Sequence, residues 1–127
     1  LKFVTGLPFD EYVRTMMGSD AIMDQLYSYT PSMNPLEAMN HGVICIGGGE
    51  PESYEILGET TLKPIINVLP TYESCVEELT KLVTDLPRIP QLRRESYAYV
   101  RKHHDHIKVA KQYITFYESL FSKAKKR

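Results

Sequence analysis

The hydrophobic residues of the chain fall into two patterns, short apolar runs and longer stretches with helical spacing. The run at residues 43–46 (VICI) has no polar position, which is typical of a parallel strand covered by helices on both faces. Apolar runs of this kind predict four strands, at residues 1–6, 20–29, 43–46 and 65–68.

Helical spacing predicts a helix between or after each of these strands. The clearest is at residues 71–86, where Thr71 is a candidate N-cap. Its buried stripe is predicted to be Val76, Leu79, Leu82 and Val83. The other helices are predicted at residues 7–19, 34–41, 51–56, 91–104 and 105–124, the last capped by Asp105. Tyr97, Tyr99, Tyr113, Phe116 and Tyr117 are predicted to pack the last two helices onto the sheet.

Strands that alternate with helices predict an α/β fold, a Rossmann-like parallel sheet flanked by helices with trailing C-terminal helices. At 127 residues the chain is expected to be a single domain, residues 1–127. No apolar run is long enough to predict a membrane span. Cys45 and Cys75 are expected to be free buried thiols, which fits a reducing, cytoplasmic compartment.

The formal net charge of −1 hides an asymmetry along the chain. Residues 1–87 hold four Lys/Arg and thirteen Asp/Glu, whereas residues 88–127 hold eleven and three. Two interpretations of the basic segment stay open: it faces an anionic membrane surface, or it is a solvated helix face. No nucleic-acid partner is expected, because no nucleic-acid-binding fold accompanies the basic residues.

The junction between the second strand and the helix at 34–41 is the main candidate for a binding site. Ligands of open parallel sheets bind beyond the carboxyl ends of the strands, where helix N-termini attract phosphate. The N–H groups of Ser32, Met33 and Asn34 are the candidate phosphate donors, and the carboxylate of Glu37 suits the paired hydroxyls of a vicinal diol. A second interpretation stays open, in which Asn34, Pro35 and Glu37 form a helix capping box.

Gly47, Gly48 and Gly49 follow the third strand without the spacing of a dinucleotide fingerprint and without a P-loop lysine. They form either a flexible connection or a loop that cradles a ligand. The histidines at 103–106 (HHDH) have no cysteine or acidic cluster nearby in the sequence to complete a metal site, so we expect no metal there.

Residues 35–57 (PLEAMNHGVICIGGGEPESYEIL) resemble the signature of the retaining family four of GT-B glycosyltransferases. That signature has a Glu, seven residues, a second Glu, Ala-Met, a Gly, an apolar strand, and Gly-Gly before a further Glu. Residues 3–26 (FVTGLPFDEYVRTMMGSDAIMDQL) are similar to the strand–helix–strand before it. Residues 66–70 (INVLP) and 99–120 (YVRKHHDHIKVAKQYITFYESL) are similar to its closing elements, so the resemblance covers nearly the whole chain.

The resemblance implies that this chain is the distal part of a GT-B C-terminal lobe, the lobe that binds the nucleotide-sugar donor. The parent enzyme would transfer a hexose from a nucleotide-diphosphate sugar to a glycan or lipid-linked acceptor in polysaccharide biosynthesis. Glu37 would bind the ribose, the backbone of Ser32, Met33 and Asn34 the diphosphate, and Gly47 to Gly49 would shape the cleft wall. No cofactor or metal is implied, since the nucleotide sugar is the substrate. We expect an enzyme of the cytoplasm or the inner membrane face.

This chain departs from the family pattern at two places. Tyr29 stands where the first Glu of the signature belongs, and TPS replaces Gly-Phe-Gly, so the contact to the transferred sugar is expected to pass to Tyr29 or a nearby main-chain group. The N-terminal acceptor lobe and an Arg/Lys pair for the diphosphate are missing, so this fragment alone is expected to be inactive and its catalytic residues are unassigned. The alternative is a non-catalytic α/β binding or regulatory module.

Overall fold

The structure is a computed structural model that describes residues 1–124, and it has a mixed α/β fold with far more helix than strand. Strand β1 (Ala21–Met23) and strand β2 (Ile44–Ile46) lie side by side in a parallel sheet, with Ile22 opposite Cys45. Every residue of β2 is buried, as expected for an apolar strand with covered faces. The prediction of an α/β fold with a parallel sheet is therefore confirmed.

Ile66 adds a third member to the sheet through a single parallel bridge to Ile46. The Ile66 N–H donates to the Cys45 carbonyl at 3.0 Å, and the Ile66 carbonyl accepts the Gly47 N–H at 2.8 Å. The strand predicted at residues 65–68 is reduced to this bridge.

The strand predicted at residues 1–6 is wrong. Leu1 and Phe3 are almost fully exposed, and none of these residues joins a ladder within the part of the chain that the structure describes. An apolar run becomes a strand through cross-strand hydrogen bonds and packing, and this run has no neighbouring strand to supply them.

The residues from 1 to 124 contain six α-helices, and each lies at or near a predicted position. They are α1 (Phe9–Met17), α2 (Met33–Asn40), α3 (Pro51–Ile56), α4 (Tyr72–Thr84), α5 (Ile89–His103) and α6 (His106–Ala124), with a 3₁₀ turn at Leu86–Arg88. Because β1 and β2 are parallel, α2 between them starts at the edge where the strands end. Helix α3 follows β2 and starts at the same edge.

Local capping signals place two of these helix starts where the sequence predicts them. The Thr71 side chain accepts the Ser74 N–H at 3.3 Å, which makes it the N-cap of α4. The Asp105 carboxylate accepts the Lys108 N–H at 3.0 Å at the start of α6. Both predicted caps are confirmed, since each depends only on residues within one turn of the helix start.

The start of α2 is different from the prediction. The N-cap is Ser32, which has an extended backbone, and Pro35 lies at the third helical position instead of the first. The capping box of Asn34 and Glu37 is therefore wrong, because Asn34 is already inside the helix. Asp24, which is distant in sequence, instead binds the N–H and the hydroxyl of the N-cap residue Ser32.

The hydrophobic core consists of two clusters of buried residues. The larger joins α2, β2, α3 and α5 through Met39, Cys45, Tyr54, Ile65, Tyr99 and Val100. Tyr99 is fully buried, and its ring meets the Tyr54 ring edge to face with 5.9 Å between centroids. Large buried aromatic rings contribute much of the stability of a small core, so α5 is an integral part of this fold. The smaller cluster contains Met16, Ala38 and Val43.

Helix α4 does not bury its predicted stripe. Val76 and Val83 are exposed, and Leu79 and Leu82 are half-buried. Among the described residues, the main contact of α4 is with the 3₁₀ turn, which covers only part of its apolar face. The spacing correctly predicted a helix, but it could not predict what the helix packs against.

Helix α6 also leaves its apolar face uncovered. Of the aromatic residues predicted to pack on the sheet, Tyr99 is buried, whereas Tyr97 on α5 and the three on α6 (Tyr113, Phe116 and Tyr117) are exposed. Within residues 1–124, none of the helices is both long and apolar enough to cross a membrane.

Candidate functional site

The carboxyl edge of the sheet is formed by the residues that directly follow its three members. Asp24 follows β1, Gly47 follows β2, and Asn67 follows the bridging residue Ile66. The N-termini of α2 and α3 lie at this edge as well. In parallel sheets this is the edge at which ligands bind, so the predicted site residues lie on the expected side of the sheet.

Asp24 closes the loop that leads from β1 to α2. Its Oδ2 accepts the Ser32 N–H at 2.9 Å, and its Oδ1 accepts the Ser32 hydroxyl at 3.0 Å. The Asp24 N–H in turn donates to the Ile46 carbonyl at 2.9 Å, which anchors the loop to β2. A carboxylate at this position also stabilises the positive end of the α2 dipole. Sequence reasoning missed this role, since eight residues separate the partners and no local motif links them.

The bond to Asp24 changes which donors a ligand can use at α2. The Ser32 N–H already has an acceptor, so it is not free for phosphate in this conformation. Met33 and Asn34 are the first two helical residues, and their N–H groups have no acceptor inside the helix. Of the three predicted donors, these two therefore remain suited to an anion.

Glu37 lies on the surface of α2, and its side chain is 57% exposed. Its Oε1 lies 3.1 Å from Nε2 of His41, one turn further along the helix. This contact holds the carboxylate towards the C-terminal end of α2, away from the N–H groups of Met33 and Asn34. A diol bound near those donors would have to replace His41 as the partner of Glu37.

The three glycines after β2 are buried, and they allow neighbouring segments of the edge to touch. Gly48 has a φ of +72°, and a Cβ atom on it would lie 2.9 Å from the Pro31 nitrogen. A Cβ atom on Gly49 would lie 3.0 Å from the Ile65 carbonyl oxygen. Gly48 thus supports the loop at Thr30 and Pro31, whereas Gly47 lies against residues 24–26 and Gly49 against Ile65. Close packing therefore accounts for the triple glycine without flexibility.

Tyr29 lies on that loop and is 67% exposed, and its neighbour Tyr27 is 88% exposed. The loop itself is ordered by hydrogen bonds. The Ser28 hydroxyl donates to the Thr30 carbonyl at 2.7 Å and accepts the Thr30 N–H at 3.4 Å. The edge therefore presents two aromatic rings to solvent next to the start of α2.

A second polar cluster, which the sequence did not reveal, surrounds Glu59. The side chain of Glu59 is 1% exposed, and its Oε1 accepts the N–H groups of Thr61 and Leu62 at 3.0 Å each. Its Oε2 contacts Lys102 and His103 at the end of α5. The backbone N–H of Leu62, with Lys102 and His103, holds the pKa of the carboxyl far below its ordinary value.

The Glu59 cluster is a structural contact between α5 and the segment after α3, because each oxygen of its carboxylate is already hydrogen-bonded. Its partner His103 belongs to the HHDH segment. Across the residues that the structure describes, no three or more His, Cys, Asp and Glu side chains are grouped to hold a metal ion. Comparison with known protein families, curated proteins and solved structures found no match to this chain.

Proposed function

We propose that the chain is the distal part of the donor-binding lobe of a GT-B glycosyltransferase, and that the carboxyl edge binds the diphosphate and ribose of a nucleotide sugar. One observation carries the proposal: α2 starts at this edge with the N–H groups of Met33 and Asn34 unpaired inside the helix, and an exposed Glu37 follows about one turn later. The resemblance of residues 35–57 to the family signature supports the same assignment.

In this proposal the N–H groups of Met33 and Asn34 bind the diphosphate, and the α2 dipole adds to their attraction. Glu37 accepts hydrogen bonds from the two ribose hydroxyls. During transfer the bond between the sugar and the diphosphate breaks, and negative charge develops on the leaving diphosphate. The acceptor hydroxyl forms the new glycosidic bond, and its proton passes to the leaving diphosphate. Fixed donors and dipoles stabilise such a charge most effectively when they are already in place.

Two neighbouring groups limit the affinity of this chain for nucleotides. The Asp24 carboxylate offsets part of the positive potential at the start of α2. His41 competes with the ribose for Glu37. We therefore expect weak binding by this chain, with full affinity and activity only in an enzyme that supplies an acceptor lobe and further cationic residues. Its acceptor would be a glycan or a lipid-linked glycan, the latter at an anionic membrane surface in the cytoplasm.

The test is a calorimetric or NMR titration of this chain with UDP and GDP. We expect Glu37→Ala to weaken the binding of the preferred nucleotide about tenfold, because a charged acceptor of two hydrogen bonds is lost. The matched control is Glu55→Ala, an exposed glutamate on α3 with no role in the proposed site. His41→Ala is expected to strengthen binding, since it frees the Glu37 carboxylate.

An unchanged affinity in Glu37→Ala would overturn the ribose assignment. If neither nucleotide binds the wild-type chain at millimolar concentration, the donor-lobe proposal fails and the non-catalytic module becomes the better interpretation. Circular dichroism of each variant separates loss of binding from loss of fold.

A further inference from the structure

The last helix carries a row of aromatic and apolar side chains that the fold leaves in solvent. These residues recur at the three- and four-residue intervals that bring side chains onto one face of a helix. They form the α6 stripe, which consists of Tyr113, Phe116, Tyr117, Leu120 and Phe121. The Tyr117 ring lies 6.4 Å from the Tyr113 ring and 5.8 Å from the Phe116 ring, measured between centroids. Each side chain of the stripe is between 45% and 70% exposed, so the stripe is one continuous apolar surface.

The opposite face of α6 is polar. Lys111, Thr115 and Ser122 share this face by their helical spacing, and all three are exposed. At the start of the helix, the Nζ atom of Lys108 donates to the Arg101 carbonyl at 3.2 Å. Within residues 1–124, α6 makes no extensive contact with another helix or strand, so its apolar face is not part of the folded body. Exposed apolar surface of this extent, bordered by polar residues, marks a site of interaction with a protein or a membrane.

The structure divides the basic segment at residues 88–127 into two parts. On α5, cationic side chains are used within the fold, since Arg93 lies 3.1 Å from Asp20 and Lys102 contacts the buried Glu59. From His106 onwards the sequence holds six Lys/Arg and only one acidic residue, Glu118. The six are Lys108, Lys111, Lys123, Lys125, Lys126 and Arg127. The apolar stripe therefore belongs to the part of the chain with the largest excess of positive charge.

Apolar surface and positive charge together indicate the kind of partner. The surface of a bilayer that contains anionic phospholipids offers phosphate groups directly above an apolar layer. Helices with lysines on one face and aromatic or leucine side chains on the other lie in this interface. A second copy of α6 is a poorer partner, because it carries the same excess of positive charge. We propose that α6 binds the surface of an anionic phospholipid bilayer and inserts the α6 stripe at the level of the headgroups.

Membrane binding by α6 goes beyond the proposed function and does not depend on the nucleotide site. Met33, Asn34 and Glu37 lie on α2, whereas the α6 stripe lies on a helix that makes no extensive contact with α2 within the described residues. An α6 bound in this way would hold the chain at the surface where a lipid-linked acceptor is located.

The experiment measures cosedimentation of the full chain with vesicles of phosphatidylcholine alone and of an equal mixture with phosphatidylglycerol. We expect about tenfold or more tighter binding to the mixture. The chain contains no tryptophan, so Phe116→Trp introduces a single fluorescent probe into the stripe. Its emission should move to shorter wavelength on the anionic vesicles and be quenched by brominated acyl chains. Phe9→Trp is the matched control, because Phe9 is 76% exposed but lies on α1, and its emission should not change.

Two further variants separate the apolar contribution from the charge. Phe116→Ala/Phe121→Ala should bind the anionic vesicles about tenfold more weakly, because two rings no longer leave water. Lys111→Glu should also lose about tenfold, whereas the same charge change in the exposed Lys2→Glu should alter binding by less than about twofold. Circular dichroism confirms that each variant is folded.

Three results would overturn membrane binding by α6. The first is no binding to vesicles, or equal binding to the two compositions. The second is binding to anionic vesicles without a change in the emission of Phe116→Trp, which would show attraction of charge without insertion of the stripe. The third is self-association that Phe116→Ala/Phe121→Ala abolishes in a chain that does not bind vesicles, which would assign the stripe to a second copy. Each leaves the titrations with UDP and GDP unchanged, so the donor-lobe proposal is tested separately.

Discussion

The Nε2 atom of His103 lies 2.6 Å from Oε2 of Glu59, although the two residues are 44 positions apart in the chain. The contact fastens the end of α5 to the segment between α3 and Ile65. Lys102 reaches the same carboxylate, and the Leu62 N–H occupies its other oxygen. A buried carboxylate is tolerated only when it is paired and hydrogen-bonded, so the surrounding structure depends on all of these partners.

Glu59→Gln is therefore expected to lower the thermal midpoint by about 5 to 10 °C. The amide removes the charge that pairs with Lys102, and its NH₂ group faces donors where an acceptor is needed. The measurement is thermal unfolding followed by circular dichroism at pH 7. Glu55→Gln, an exposed substitution on α3, is the control and should shift the midpoint by no more than about 1 °C. Equal shifts in the two variants would show that Glu59 has no special role.

The same carboxylate makes stability depend on pH. The N–H of Leu62, Lys102 and His103 lower the pKa of Glu59, so the unfolded chain takes up a proton at higher pH than the folded chain. The stability from Glu59 is thus complete above the ordinary glutamate pKa of about 4.3 and is lost as the pH falls below it. We expect the difference in unfolding free energy between wild type and Glu59→Gln to shrink from pH 7 to pH 3 in urea titrations. A difference that stays constant would contradict this assignment.

The parts of the fold that the sequence predicted are those with local signals. Pro51 and Gly58 bound α3 as expected, since a proline suits the first turn of a helix and Gly58 has a positive φ. Thr71 and Asp105 cap their helices through backbone groups three residues away. The α/β alternation also follows from local periodicity, because burial and spacing are properties of short segments.

The parts that were missed depend on contacts between distant residues. The pairing of Glu59 with His103 has no local signature, and the same is true of the cap that Asp24 provides for Ser32. The predicted strand at residues 1–6 lacks a neighbour, which no local pattern can supply. For the candidate site, the role of Glu37 stays a prediction, and the sequence did not reveal the contacts of Glu37 with His41 and of Ser32 with Asp24.

Gly48→Ala tests the packing of Gly48 against the loop at Thr30 and Pro31. At φ +72° an alanine is strained, and its Cβ would lie 2.9 Å from the backbone of both Thr30 and Pro31. Gly58→Ala is the matched control, because Gly58 has a similar φ of +63° but open space around its Cβ position. Urea unfolding should show a cost of about 1 to 2 kcal/mol for Gly58→Ala, from strain alone. Gly48→Ala should cost clearly more, and equal costs would mean that the loop moves away freely.

Removal of α6 tests how far the folded body depends on its last helix. Ile107, Tyr113 and Phe121 are exposed on α6, whereas Leu92 and Tyr99 on α5 are buried. We expect deletion of residues 106–127 to shift the thermal midpoint by less than about 3 °C, since little apolar surface of the core becomes exposed. By contrast, Leu92→Ala in the full chain should cost about 2 to 5 kcal/mol. Unfolding of the shortened chain would show that α6 contributes contacts essential to the core. If the shortened chain stays folded and self-associates less in size-exclusion chromatography, the apolar face of α6 is not needed for folding and is available for contacts with other molecules.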